Sequence, residues 1–117
     1  MADTAFLKAA NNYRTTLSAE ISAIATSMTP VSIVGAPTTF PFRLTIWDST
    51  IYGKANPSLD PGMEIVEVSS ETGGVFTISR EAEGTTGSVH PAGSNVALLL
   101  TAGMIKQIQD AVNALET

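Results

Sequence analysis

Two different spacings of apolar residues run through this chain. Near its start, Leu17, Ile21, Ile24 and Met28 step by four, three and four, with Phe6, Ala10 and Tyr13 extending that side upstream and Arg14, Ser18, Glu20 and Ser22 falling off it. That is the repeat of a helix with a heptad seam. It predicts a helix over 3–28, capped by Asp3 or Thr4 and stopped at Thr29-Pro30, because the residue before a proline avoids the α region. Such a rod either docks on a sheet as an ordinary amphipathic helix or associates with copies of itself. Near the end, Ile105, Ile108, Val112 and Leu115 step by three, four and three, with Lys106, Gln109, Asp110 and Asn113 off the seam. This predicts a second helix over 102–116.

Between these segments the period is two. Phe40, Phe42, Leu44 and Ile46 alternate with Pro41, Arg43, Thr45 and Trp47, the clearest strand of the chain. Pro41 argues for an edge or for the first residues of a strand. Trp47, opposite the inner face, either covers a barrel rim or meets a neighbour. Val31 to Val34 reads as a short strand closed by Gly35-Ala36-Pro37. In Met63 to Ser70 the alternation breaks, with Met63 and Ile65 on one face and Val66 and Val68 on the other, so either a bulge intervenes or both faces are covered. After the turn Glu71-Thr72-Gly73-Gly74, Phe76 and Ile78 point inward and Thr77 and Ser79 outward. Arg80 falls on the Phe76/Ile78 side, where Glu64 or Glu67 can pair with it. In the last strand Val96, Leu98 and Leu100 share a face. The expected fold is α+β: a single domain over 1–117, in which an antiparallel β barrel or sandwich of about five strands (31–101) is flanked by an N-terminal helix (within 1–29) and a C-terminal helix (102–117).

Composition narrows the possibilities. Of 117 residues, 44% are hydrophobic and only 15% charged, against a usual ~25% charged. This suits a protein that buries much of its surface against partners, or a compact but poorly charged monomer. The net charge is −5 and the six Lys/Arg are scattered, so no basic stripe is available for phosphates and nucleic-acid binding is not expected. Without cysteine there is no disulfide framework or thiolate metal site. The first residues lack the apolar core of a signal peptide, and Ala97 to Leu100 is too short to cross a bilayer. A soluble protein made in a cytoplasm, without a membrane partner, is expected. Both seams place Ile at a- and d-type positions, Ile21 with Ile24 and Ile105 with Ile108, a combination that favours three or four helices over two. The expected state is a homotrimer whose interface comprises Leu17, Ile21, Ile24, Met28, Ile105, Ile108, Val112 and Leu115. A monomer with two docked helices is the alternative.

No catalytic set is legible. In the loop 48–62, Asp48 and Asp60 offer oxygens, but the run of convergent ligands that calcium requires is absent. The single histidine, His90, lacks a nucleophile elbow and has no second His or Cys to share a metal. Glu64/Glu67 and Glu81/Glu83 are acidic pairs without aromatic cleft walls, and Glu83-Gly84-Thr85-Thr86-Gly87 lacks the lysine and helix start of a phosphate loop. Neither an enzyme nor a cofactor is expected. The run from Arg80 to Gly93 instead reads as a structural turn built on Arg80, Glu83, Gly84, Thr85, His90 and Gly93. In it Gly84 adopts a backbone angle that side chains oppose, Glu83 accepts bonds from the same turn, and His90 bonds back to the loop.

The segment from Phe40 to Ala102 resembles a domain that recurs in virion proteins of tailed bacteriophages. The residues that carry the likeness are Glu64 to Val68, Thr77, Arg80, Glu83-Gly84-Thr85, His90, Gly93 and Thr101-Ala102; Glu81 is acidic where a neutral residue is expected. The resemblance implies a trimeric structural protein of the virion, found in heads, tails or fibres. The expected function is therefore an accessory protein that docks on the major capsid protein and stabilises the particle. The alternative is a tail or fibre adaptor that attaches a receptor-binding protein or contacts the host surface. A receptor-binding fibre needs a shaft and tip beyond its attachment module, and the chain stops just after its second helix, so a complete fibre is not expected.

Overall fold

A computed structural model describes residues 7–48 and 57–116. Six strands form one antiparallel sheet: β1 (Arg14–Thr16), β2 (Ser27–Met28), β3 (Phe42–Trp47), β4 (Glu64–Thr72), β5 (Val75–Ala82) and β6 (Asn95–Ala97), in the order β1-β6-β3-β4-β5-β2. The sheet curls into a half-barrel. Its two edge strands approach each other at an antiparallel bridge between Leu17 and Pro30, fastened by Ser18 N donating to Thr29 O and Val31 N to Thr16 O. One helix, α1 (Ala102–Glu116), follows β6.

The expected N-terminal helix is absent from the described residues; Asp3 and Thr4 lie outside them. Residues 7–30 instead form an extended arm laid across the half-barrel. The physical reason lies in the spacing. A step of four fits a period of two as well as a period of 3.6, so Tyr13, Leu17 and Ile21 all point inward from an extended chain. Asn12, at φ 62°, lies outside helical space, and Thr15-Thr16 favour strand. The arm's hydrogen bonds go to distant partners: Leu17 N to Ser94 O, Leu98 N to Tyr13 O, and Ile78 N to Thr26 O. Consequently Leu17, Ile21 and Met28 are core residues and form no helical seam, while Ile24 is exposed. The expected strand at Val31–Val34 is likewise a turn, closed by Ala36 N on Ile33 O with Gly35 at φ 92°.

The alternating pattern of β3 holds, and Pro41 immediately precedes it. Phe42, Leu44 and Ile46 join Val66, Val68, Phe76, Ile78, Val96 and the arm's Tyr13, Leu17, Ile21 and Met28 in one core. Phe42 and Phe76 meet edge to face at 5.6 Å, a favoured aromatic geometry. The other face of β3 is covered too. Trp47 is fully buried there, and the Arg14 guanidinium stands 5.7 Å from its ring centroid. The irregularity expected in β4 is a pair of register shifts against β5, between Ile65 and Glu67 and between Val68 and Ser70. Around the first, the Thr85 side chain stands in for a ladder partner: its Oγ1 accepts from Ile65 N at 3.0 Å and donates to Ala82 O at 2.8 Å.

Candidate functional site

Glu64 lies at the start of β4 on the same face as Val66 and Val68, and alternation therefore turns its carboxylate into the core, where it is fully buried. An isolated charge there would be very costly. Five donors converge on it instead. Oε2 accepts from Arg80 Nε at 2.8 Å and from Glu81 N at 2.9 Å. Oε1 accepts from Arg80 Nη2 at 2.6 Å, His90 Nε2 at 2.8 Å and Ser88 N at 3.2 Å. Because an ionised carboxylate can only accept, His90 carries its proton on Nε2 in this bond. Burial acts to raise the Glu64 pKa, but the bonds from Arg80, His90 and the two backbone amides outweigh it and bring it down to about 2.

Arg80 is equally saturated. Beyond its two bonds to Glu64, Nη1 donates to Ser22 O at 2.6 Å and Ala25 O at 3.1 Å, and Nη2 donates to Ser88 O at 2.7 Å. A guanidinium has five N–H donors in a fixed fork, and all five are used. Arg80 thus ties three separate segments, β4, the arm and the 83–93 turn, to β5. Two further links lash the turn to the arm: His90 and Ile21 exchange backbone bonds at 3.0 Å each, and Gly93 N donates to Leu17 O at 2.9 Å.

A second cluster governs the start of α1. Thr101 caps the helix, its Oγ1 accepting from Met104 N at 3.3 Å. Glu83 adds a carboxylate at the same helix end: Oε1 accepts from Gly103 N at 2.7 Å, and Oε2 from Thr101 Oγ1 at 2.6 Å and Arg43 Nη1 at 2.9 Å. Arg43 Nε also donates to Glu67 at 3.0 Å. Against the effect of burial, the bonds from Thr101, Arg43 and Gly103 lower the Glu83 pKa. A negative group is favoured at a helix N-terminus by the unpaired amides and the dipole. A side chain at Gly103 would stand 2.5 Å from Glu83 Cδ, so the close approach requires glycine.

Of the turn residues foreseen in the sequence, Arg80 takes Glu64 and not Glu67 as its partner. Gly84 is at φ 79° and Gly93 at φ 87°. Two expectations need correction. Glu83 reaches beyond its own turn to the start of α1, and His90 bonds β4 instead of its own loop. In the 48–62 loop, residues 49–56 lie outside the described ones. Asp60 is spent within the loop, accepting from Asp48 N at 2.8 Å and Gly62 N at 2.7 Å.

The other foreseen interface residues are on α1, where Ile105, Ile108, Val112 and Leu115 are all exposed. The helix is tied to the rest of the molecule at its first turns, through Glu83, the buried Met104 and Gln107, whose Oε1 accepts from Leu7 N at 2.8 Å. Beyond these the stripe faces solvent.

Chemically, the polar centre is a fastener. Glu64 has about four lone-pair sites and five donors on them, leaving nothing to take a proton from a substrate. Among the described residues no group of three or more His, Cys, Asp or Glu could hold a metal ion, and no helix is long and apolar enough to cross a membrane. In comparison with known proteins, no protein-family model and no curated protein matches this chain.

Proposed function

We propose that this chain is an accessory structural protein of a tailed-phage virion, which docks as a homotrimer on the major capsid protein and reinforces the particle. One observation carries the reading: a half-barrel locked by a saturated, buried ion pair between Arg80 and Glu64 presents a short helix whose apolar stripe, Ile105, Ile108, Val112 and Leu115, is open to solvent. Isolated helices shorter than about 12–15 residues are marginal in water, and α1, with 15 residues, stands only at the edge of that range. Burial of that stripe against other copies supplies what the helix lacks, and Ile at both seam positions favours three or four copies over two. The resemblance through Glu64–Val68, Arg80, Glu83-Gly84-Thr85, His90 and Thr101-Ala102 supports the virion as the setting. The trimer's partners in this reading are proteins, neither nucleic acid nor membrane, and its role is non-enzymatic.

The second reading, a tail or fibre adaptor, draws on the same helix, since a stripe projecting from a rigid domain suits attachment of a further protein. Copy number in purified virions separates the two. Hundreds of copies spread over the head, seen by electron cryomicroscopy or quantitative gel, are the expected result. A handful at one vertex makes the chain an adaptor, and absence from the particle overturns both readings.

A further inference from the structure

The stripe on α1 is too small to hold an oligomer by itself. A stable protein interface engages about 20–30 residues a side, and the stripe offers four side chains. More surface must come from the half-barrel, and the direction in which the stripe faces indicates where. At 3.6 residues per turn, Gly103 lies on the side of α1 opposite the stripe, and that side is the one abutting Glu83 and Arg43. Ala102 lies on the stripe's flank. There Ala102 forms one wall of an open groove whose other apolar walls include Met63, Ile65, Leu99 and Leu100. Leu100 is 71% exposed although it sits two residues before the helix.

We infer that this groove is the second half of the self-association surface and seats apolar side chains of a neighbouring copy. The inference rests on the proposed oligomer. Two observations select the occupant. The groove is continuous with the stripe through Ala102, so copies gathered around α1 bring their surfaces to it. Three of its polar groups are also already engaged: Glu83 holds Arg43, Thr101 and Gly103, Thr85 holds Ile65 and Ala82, and Thr101 holds Glu83 and Met104. A polar ligand would find these groups taken, whereas an apolar side chain needs only the walls. Val75, another exposed apolar residue, does not compete: it opens β5 at the β4–β5 hairpin tip, roughly 25 Å along strands of this length from the end that holds α1. Val34 is exposed and is not among the walls of the groove.

The test is sedimentation equilibrium of the full chain, the Leu100→Glu variant and the Val34→Glu variant. Both substitutions fall on exposed side chains, and circular dichroism and melting curves verify that each variant folds. Leu100→Glu is expected to raise the concentration of half-dissociation at least about tenfold, and Val34→Glu to leave it unchanged. An oligomeric wild type whose Leu100→Glu variant associates as tightly overturns the groove alone. A wild type that stays monomeric overturns the oligomer and the groove with it.

Discussion

Glu64 shows how much of the molecule's cohesion one residue can gather. Its carboxylate is buried among hydrophobic neighbours, yet its pKa lies at about 2 against an ordinary 4.5, because every lone pair is met by a donor. A depressed carboxylate pKa contributes stability that is complete above the unfolded value and is lost as pH falls through the folded one. The window for Glu64 is therefore from about 4.5 down to about 2. The contribution is on the order of 3 kcal/mol. Urea unfolding across this range should show stability dropping with acid, and Glu64→Gln should remove most of that slope while lowering stability at neutral pH, where Arg80 loses its counter-charge. An unchanged slope in Glu64→Gln would show that other carboxylates drive acid unfolding. Parity put Arg80 on the Phe76/Ile78 face with Glu64 or Glu67 as its possible partner, and only the structure chose Glu64. The part of His90 was not legible, because no local pattern announces a partner 26 residues away.

At the level of elements, α1 starts where Thr101 and Glu83 together satisfy its first amides. A glycine in the first turn of a helix ordinarily invites improvement, as Gly→Ala gains up to about 1 kcal/mol in a helix. At Gly103 the sign should reverse. The added methyl would stand 2.5 Å from Glu83 Cδ and 2.6 Å from Arg43 Nη1, so the Glu83 cap must move. Gly103→Ala is expected to destabilise the protein by about 1–2 kcal/mol, the scale of a lost cap, with faster amide exchange over 103–106. A variant as stable as wild type or more so would mean that the Glu83 contact yields at little cost. The arm illustrates the opposite case, an element whose apolar spacing suited a helix and whose actual partners, β5, β6 and the 88–94 turn, were remote in sequence.

For the whole molecule, one end of the half-barrel holds α1 and its adjoining groove, and the principal extents of 47 × 32 × 26 Å describe a body elongated along one axis. If copies join through α1, folding is linked to association and the melting temperature must rise with protein concentration. Wild type should show that rise, and Ile108→Asp should abolish it by placing a charge in a seam that association would desolvate. A wild-type melting temperature independent of concentration would count against the trimer. Because Ile108 is exposed in the single chain, the substitution should leave the half-barrel's own fold intact.

By itself, the sequence determined what short-range periodicity can encode: the β3 alternation, the break in β4, the inward face of β5, the Gly-Gly hairpin, and the helix α1 with its apolar stripe, each of which depends on neighbours only a few residues apart. The tertiary structure alone decided the conformation of the arm. Its four-residue steps satisfy helix and strand alike, and the choice between them was made by bonds to Ile78, His90, Ser94 and Leu98 far along the chain. It also decided which acids become fasteners. Glu64 and Glu83 are indistinguishable in composition from any surface glutamate, and only the fold brings five donors to one carboxylate and a helix start to the other.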